Sequence, residues 1–123
     1  MAFHPPIPIL RIFDEAKARE FYLGFLGFTV DFEHRFDANA PLYMGVSRDG
    51  CKLHLSEHHG DACPGSSVSI RVDDLEAYHQ ELTAKRYKYY RPGLEKTEWN
   101  TLEVTVQDGF GNKLIFFRDL PRS

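Results

Sequence analysis

The sequence lacks the features of three large classes of protein. Its two cysteines, Cys51 and Cys63, form no CxxC pair, so neither a disulfide framework nor a cysteine-rich zinc site is indicated. The longest apolar run is far shorter than the roughly 20 residues that a membrane helix needs. Eighteen acidic residues against 15 basic ones give a net charge of −3, which disfavours nucleic acid as a partner. Because the N-terminus has no signal-like pattern, we expect a reduced cytoplasmic protein without a membrane segment.

What the sequence does contain is a repeat at about half its length. The run Ile9–Asp14 returns as Ser69–Asp74, 60 positions later, and in both copies an extended apolar run ends in an acidic residue before a helical pattern. A turn followed by a strand at Leu53 returns at Leu114, 61 positions later. The period indicates two copies of one small α/β unit.

The periodicity within each copy predicts the order β-α-β-β-β. Along residues 28–35, Val30, Phe32 and His34 alternate with polar residues, which predicts a strand with one wetter face. The expected fold is α+β: one domain, residues 1–123, made of two βαβββ modules (about 1–60 and 61–123), each a curved mixed sheet with one helix. The predicted strands are 9–13, 28–35, 42–47, 52–56, 67–72, 101–106 and 113–118; helices are predicted from Asp14 to about Leu26 and from Asp73 or Asp74 to about Arg86.

One segment mixes basic and aromatic residues. Residues 86–91 (RYKYYR) have the composition of a nucleic-acid contact. The net charge of −3 favours instead a strand whose tyrosines pack beneath solvated cations. We therefore expect a short strand and a loop, broken by Pro92-Gly93, between Tyr87 and Trp99.

Several motifs carry a family resemblance. The run Pro8–Asp14, with Phe21-Tyr22 and residues 26–28 (LGF), resembles the vicinal oxygen chelate superfamily, which includes glyoxalases, ring-cleaving dioxygenases and bleomycin-resistance proteins. Residues 106–114 resemble the closing turn and final strand of that superfamily, with Gly109-Phe110 where a proline is usual. Within the superfamily, the closest resemblance is to the bleomycin-resistance proteins, through residues 7–10, 64–72 and 98–104.

The resemblance also provides a test for a metal site. Enzymes of the superfamily hold a divalent metal with side chains from the first, fourth, fifth and eighth strands, and these positions are Ile7, His54, Ser67 and Ile115 in this chain. Isoleucine has no donor atom and a serine hydroxyl is a poor ligand for zinc or iron, so we expect no metal, no cofactor and no catalysis. A second set of potential ligands lacks the paired spacing of a zinc site and is interpreted as a solvated loop: His54, His58, His59, Asp61 and Cys63.

For the ligand site, the resemblance implies that Tyr43 and Trp99 stack on the flat bithiazole tail of a bleomycin-type drug, with Phe36 as an alternative stacking residue. His54 and Ser56 are candidates for hydrogen bonds to the ligand. Ordinary sheet packing remains the alternative for each aromatic residue. The ligand's cation would meet carboxylates, for which the candidates are Glu33, Asp37, Glu57, Asp61, Glu98 and Glu103.

The resemblance implies a homodimer, with exchange of the N-terminal strand between subunits as one form of it. The expected function is non-catalytic sequestration of a bleomycin-type glycopeptide in clefts at the dimer interface. Two alternatives stay open: a metal-dependent enzyme of the glyoxalase or dioxygenase type, for which His54 is the argument, and a binder of another planar aromatic molecule.

Overall fold

The computed structural model describes residues 1–87 and 92–121. The chain consists of two compact units, Met1–Ser66 and Ser67–Ser123. In the described residues, each unit contains a four-stranded mixed sheet and one helical stretch in the order β-α-β-β-β. The α+β fold with two βαβββ repeats is therefore confirmed.

The first unit forms its sheet in the order β1-β4-β3-β2. Strand β1 runs parallel to β4, and the other pairs are antiparallel. The strands β1 and β2 are thus the two edges. The elements are β1 (Ile9–Arg11), α1 (Glu15–Ala18) with its continuation Arg19–Phe25, β2 (Thr29–His34), β3 (Tyr43–Arg48) and β4 (Cys51–Ser56).

The second unit repeats this topology in the order β5-β8-β7-β6. Strand β5 is parallel to β8, as β1 is to β4. The strand expected near residues 86–91 falls mostly on residues outside those described, and the observed β6 begins after Pro92-Gly93. The elements are β5 (Ser67–Arg71), α2 (Leu75–Ala84), β6 (Leu94–Lys96), β7 (Thr101–Gln107) and β8 (Lys113–Asp119).

Both helical stretches begin at the predicted aspartates. The Asp14 carboxylate accepts from the Lys17 amide at 3.0 Å, and the Asp74 carboxylate accepts from the Ala77 amide at 3.2 Å. These bonds satisfy amides that lack a partner within the helix. Of the two aspartates predicted as caps of α2, it is Asp74 that caps. No helix in the described ranges is long and apolar enough to cross a membrane.

The first helix departs from α geometry after one turn. Residues Arg19–Phe25 form wider π-type turns, and the Leu26 amide donates to the Phe21 carbonyl at 2.9 Å. The apolar spacing predicted a continuous helix to about Leu26 and gave no sign of this widening. Phe21, Tyr22 and Phe25 are nevertheless buried, as the amphipathic pattern predicts.

A tight turn fixes the β3–β4 hairpin. Asp49 and Gly50 both have positive φ, 49° and 83°, as the favoured two-residue hairpin turn requires. Arg48 therefore pairs with Cys51, and counting back along both strands places Gly45 opposite His54. The Asp-Gly dipeptide thus sets which side chains meet across the two strands.

The closing β7–β8 turn is held by side chains. The buried Asp108 carboxylate accepts from the backbone amides of Phe110 and Asn112, each at 2.9 Å, and from the Asn112 side-chain amide at 2.8 Å. The Asp108 amide in turn donates to the Asn112 carbonyl at 3.0 Å. These bonds close the turn although Gly109 stands where the resemblance has proline.

The apolar core of the first unit lies on one face of its sheet. Strand residues alternate between faces, so the even positions of β3 and the odd positions of β4 lie on the buried side in the first unit. The side chains that form this core on β1, β3 and β4 are Leu10, Met44, Val46, Leu53 and Leu55. We call the opposite side the open face of the first unit.

The edge strand β2 differs from the predicted alternation. Val30 pairs with Val46 whereas Phe32 pairs with Gly45, so the register shifts by one residue between them. Because Gly45 and Val46 are consecutive, Val30 and Phe32 lie on opposite faces of the sheet. The prediction that Val30, Phe32 and His34 share a face is wrong for Val30.

Candidate functional site

Three aromatic rings meet on the open face of the first unit. Tyr43 and Phe32 are nearly parallel, with ring centroids 6.2 Å apart and planes at 15°. The His54 ring stands edge-on to both, at 5.2 Å from Phe32 and 5.2 Å from Tyr43. Phe32, Tyr43 and His54, here called the aromatic cluster, come from three adjacent strands, and their meeting follows from the hairpin register and the shift in β2.

A short hydrogen bond links two members of the aromatic cluster. The Tyr43 hydroxyl lies 2.7 Å from His54 Nδ1. Burial lowers the pKa of His54, the Lys52 ammonium acts in the same direction, and the Asp31 carboxylate opposes them. Burial also raises the pKa of Tyr43, with a further contribution from Asp61. Both groups are therefore neutral at pH 7, and the pair can offer a ligand hydrogen bonds without a net charge.

The Phe32 ring lies against the backbone of Gly45. A Cβ atom on Gly45 would overlap this ring, so only glycine leaves room for Phe32 in its observed position. Phe32 is 42% exposed, which leaves part of its ring available to a ligand. Sequence reasoning did not include Phe32 among the site residues; a glycine inside a predicted strand was the available signal of a close approach.

The Ser56 side chain is fully buried, and its hydroxyl is hydrogen-bonded to other groups of the protein. Its Oγ donates to Asp61 Oδ2 at 2.7 Å and accepts from the His58 amide at 3.0 Å. The predicted role as a donor to a ligand thus conflicts with this geometry, because the single hydroxyl proton is used. Ser56 instead holds the start of the loop that follows β4.

Phe36 lies beyond the end of β2 and is 81% exposed. Its ring is edge-on to His34, with centroids 5.2 Å apart, and edge-on to His58 at 6.4 Å. Phe36 is thus an exposed aromatic residue flanked by two imidazoles.

Glu33, one of the carboxylate candidates in the first unit, points away from the aromatic cluster. Glu33 pairs with Met44 across the β2–β3 ladder, so it lies on the face opposite Tyr43. There it forms an ion pair with Arg19, which also bonds Glu15 at 2.9 Å. The structure does not bring Glu33 together with the aromatic cluster.

In the second unit, Trp99 is 69% exposed, and its Nε1 donates to Glu103 Oε2 at 3.3 Å. The same carboxylate oxygen accepts from Thr101 Oγ1 at 3.1 Å. Glu95 is the direct cross-strand partner of Glu103, and Glu98 is exposed nearby in sequence. Trp99 and Glu103 therefore form a pair with an exposed aromatic ring beside a carboxylate.

The four positions of the superfamily's metal ligands do not offer a donor set. Ile7 precedes β1, His54 lies in β4, Ser67 begins β5 and Ile115 lies in β8. Two of these side chains have no lone pair, so the residues present do not fit a divalent metal. In the described ranges, no group of three or more His, Cys, Asp or Glu side chains could hold a metal ion, and this includes the loop with His58, His59, Asp61 and Cys63.

Comparison with known proteins places this fold in a family. The profile described as "Glyoxalase superfamily protein" matches residues 1–121. The chain belongs to the glyoxalase superfamily. No curated protein sequence matches it.

Solved structures of the superfamily include close counterparts of this fold. A bleomycin-binding protein complexed with bleomycin superposes with a TM-score of 0.72 at 23% identity, covering 95% of this chain and 99% of that one. A bleomycin resistance determinant encoded on transposon Tn5 gives 0.71 at 21% identity, with 95% and 98% covered. TnmS3, an antibiotic-binding protein from Streptomyces sp. CB03234, gives 0.69 at 21% identity, with 99% of both chains covered. The predicted membership of this superfamily is thereby confirmed, and the fold is shared with solved bleomycin-binding and bleomycin-resistance proteins.

Proposed function

We propose that this glyoxalase-superfamily protein binds and sequesters a bleomycin-type glycopeptide antibiotic without chemically changing it. The observation that carries the proposal is the aromatic cluster on the open face of the first unit. A sheet face exposed to solvent would ordinarily carry polar side chains, whereas here it holds Phe32, Tyr43 and His54 around a glycine. Three superfamily structures with the same fold, described as bleomycin-binding, bleomycin-resistance and antibiotic-binding proteins, support the choice of ligand.

The chemistry of the exposed groups suits a flat, partly apolar ligand with a cationic end. Stacking of a planar heteroaromatic group on an aromatic side chain contributes about 1–3 kcal/mol by analogy with base stacking. Phe32 and Tyr43 offer ring surface in the first unit. In the second unit, Trp99 beside Glu103 offers a ring and a carboxylate, which is the combination that attracts a cation.

The proposed action is binding alone. The donor set at Ile7, His54, Ser67 and Ile115 does not fit a divalent metal, so no Lewis-acid chemistry is assigned to these residues. A protein that only binds lowers the free drug concentration by mass action, in proportion to its own concentration. Following the family resemblance, we place the ligand sites in clefts of a homodimer.

The proposal is tested by calorimetric titration of metal-free bleomycin into chelator-treated protein, with Trp99 fluorescence followed in parallel. We expect saturable binding near one ligand per chain, at or below micromolar Kd, with quenching of Trp99. Phe32→Leu should weaken binding about tenfold because ring stacking is lost. Phe13→Leu is the matched control, since Phe13 is also exposed, at 54%, and lies outside the aromatic cluster.

The outcomes separate the alternatives. Absence of heat and of quenching at high micromolar drug overturns the antibiotic proposal. Saturable binding of a different planar aromatic compound in its place supports the broader binder. Turnover of a small metabolite that appears only after metal loading supports a glyoxalase-type enzyme instead.

A further inference from the structure

We infer that His54 selects the ligand by donating a hydrogen bond from Nε2, and that Tyr43 is the positioning residue that holds the imidazole for this purpose. The inference rests on the proposed function, since it concerns how the same face recognises its ligand. It assigns the ligand a definite chemistry. The group that meets His54 is a planar heteroaromatic ring or amide with an acceptor atom in its plane, not one that offers only donors.

The hydrogen bond to Tyr43 determines which nitrogen faces the ligand. The Tyr43 hydroxyl lies 2.7 Å from Nδ1, and we infer that the hydroxyl is the donor of this bond and Nδ1 the acceptor. In a neutral imidazole only one nitrogen carries hydrogen, so the proton of His54 then resides on Nε2. The edge contact with Phe32, at 5.2 Å and 87°, restrains the same ring from another side.

The Nε2 atom is available to a ligand. In the described residues, the hydrogen bond of His54 to a side chain is the one at Nδ1. The His54 side chain is partly exposed, and Nε2 is not one of the buried polar atoms without a hydrogen-bond partner in the described residues, so this nitrogen reaches solvent. A donor that is fixed in direction and open to solvent costs little reorganisation when a ligand binds.

The surroundings favour a flat partner. The Phe32 ring rests directly on the backbone of Gly45, and the exposed part of the ring offers a flat apolar surface. A planar ligand that packs against Phe32 in contact with His54 would bring its rim, not its face, to Nε2. An in-plane ring nitrogen or carbonyl oxygen satisfies this donor, whereas a ring N–H would leave two donors opposed and desolvated.

The test uses two soluble bicyclic probes of similar size. Quinoline has a ring nitrogen that only accepts, and indole has a ring N–H that only donates. Protein labelled at the ring nitrogens of histidine and the ring carbons of phenylalanine is titrated with each probe at pH 7.5, and the resonances of His54 and Phe32 are followed by NMR. We expect quinoline to bind about fivefold to tenfold more tightly than indole, the range of one neutral hydrogen bond.

Two substitutions of His54 separate the donor from the space it fills. His54→Gln keeps an amide donor near the position of Nε2 and should retain the preference for quinoline. His54→Asn keeps a polar group near Nδ1 but has no donor at the outer position, so the preference should disappear. Tyr43→Phe should shift the His54 ring-nitrogen resonances toward a mixture of tautomers and reduce the preference, a signature that a purely structural role would not produce.

The results distinguish this inference from the proposed function. Equal affinities for the two probes, binding of neither, or the same preference in His54→Asn as in the unsubstituted protein overturns the role of His54. Bleomycin binding by calorimetry is measured separately. If the drug binds while the probes show no preference, the function stands and the selection by Nε2 does not.

Discussion

At the scale of single residues, the central feature is a neutral Tyr–His pair where the superfamily's enzymes have a metal ligand. His54 stands at that position, and its Nδ1 is occupied by Tyr43 at 2.7 Å. This hydrogen bond restrains the imidazole ring, so that His54 can act as a hydrogen-bond donor to a bound molecule and not as a metal ligand. The identity of one neighbour on the adjacent strand thus determines what this histidine can do.

The first prediction concerns Tyr43→Phe, which keeps the ring and removes the hydroxyl. The free energy of unfolding should fall by about 1 kcal/mol, the net value of a neutral hydrogen bond in a half-buried site. Urea denaturation measures the change. In a His54→Ala background the same substitution should have little effect, and an equal loss in both backgrounds would show that the hydroxyl acts through another partner.

The second prediction concerns pH. Because burial lowers the pKa of His54 below the ordinary value of 6.5, the unfolded chain takes up this proton before the folded protein does. The contribution to stability is therefore intact above about pH 7 and is lost as the pH falls through 6.5 toward the folded-state pKa. Urea denaturation from pH 8 to pH 5 should show a smaller loss for His54→Gln than for the unsubstituted protein. Parallel pH profiles for the two proteins would contradict this assignment.

At the scale of elements, the β3–β4 hairpin assembles the site. The Asp49-Gly50 turn fixes the register that sets Gly45 opposite His54, and the shift in β2 then brings Phe32 to the same place. A slip of one residue in either pairing would move these side chains to the other face. The site therefore depends on a turn and an irregular edge as much as on its own side chains.

The third prediction tests that arrangement through Gly45→Ala. The added methyl group overlaps Phe32, so the ring must move, and the free energy of unfolding should fall by about 1–3 kcal/mol. Affinity for bleomycin should fall with it. Gly109→Ala is the control, because a Cβ there meets nothing within 4 Å. Thermal unfolding and calorimetry on both variants measure these effects; equal behaviour of the two would contradict the packing of Phe32 on Gly45.

The sequence predicted the features that depend on neighbouring residues. The cap at Asp14, a cap at Asp73 or Asp74, and the turn at Asp49-Gly50 could be recognised because each motif acts within a few residues. The order of elements along the chain, β-α-β-β-β in each half, followed from the periodicity within each copy. The fold could be assigned because these local features agree in both halves of the chain.

Features that depend on distant pairing were missed. The position of Phe32 in the aromatic cluster requires the register shift in β2, which no periodicity along the strand reveals. The same shift places Glu33 on the opposite face, with Arg19. The π-type turns of Arg19–Phe25 also could not be predicted from the apolar spacing of the sequence, because the buried positions fit either helix geometry.

At the scale of the whole molecule, the two units share a topology but carry different chemistry. The ladder position of Tyr43, opposite Ser56, corresponds to that of Glu103, opposite Phe117. The first unit therefore presents an aromatic cluster where the second presents a carboxylate with Trp99 beside it. Divergence of the repeated units would give one chain both a stacking surface and an anionic one.

The fourth prediction concerns the proposed homodimer. Phe3 is 91% exposed and Ile7 is 40% exposed in the single chain, and β1 is a sheet edge that pairs with β4 of its own chain. Light scattering after size-exclusion chromatography should give twice the 14.2 kDa chain mass. The double substitution Phe3→Ser with Ile7→Ser should weaken association about tenfold or more by removing apolar surface. A monomer at all concentrations up to 100 µM would rule out the dimer.

The most direct test of the account is to map bleomycin onto the protein. Metal-free drug is titrated into chelator-treated, isotope-labelled protein, and the ring resonances of Phe32, Tyr43 and His54 are followed by NMR. The account predicts that these resonances shift together and saturate near one ligand per chain. They should shift at lower drug concentrations than the ring resonances of Phe13. Saturable shifts that leave the aromatic cluster unchanged would contradict the proposed site, and the absence of any shift at high micromolar drug would contradict the proposed function.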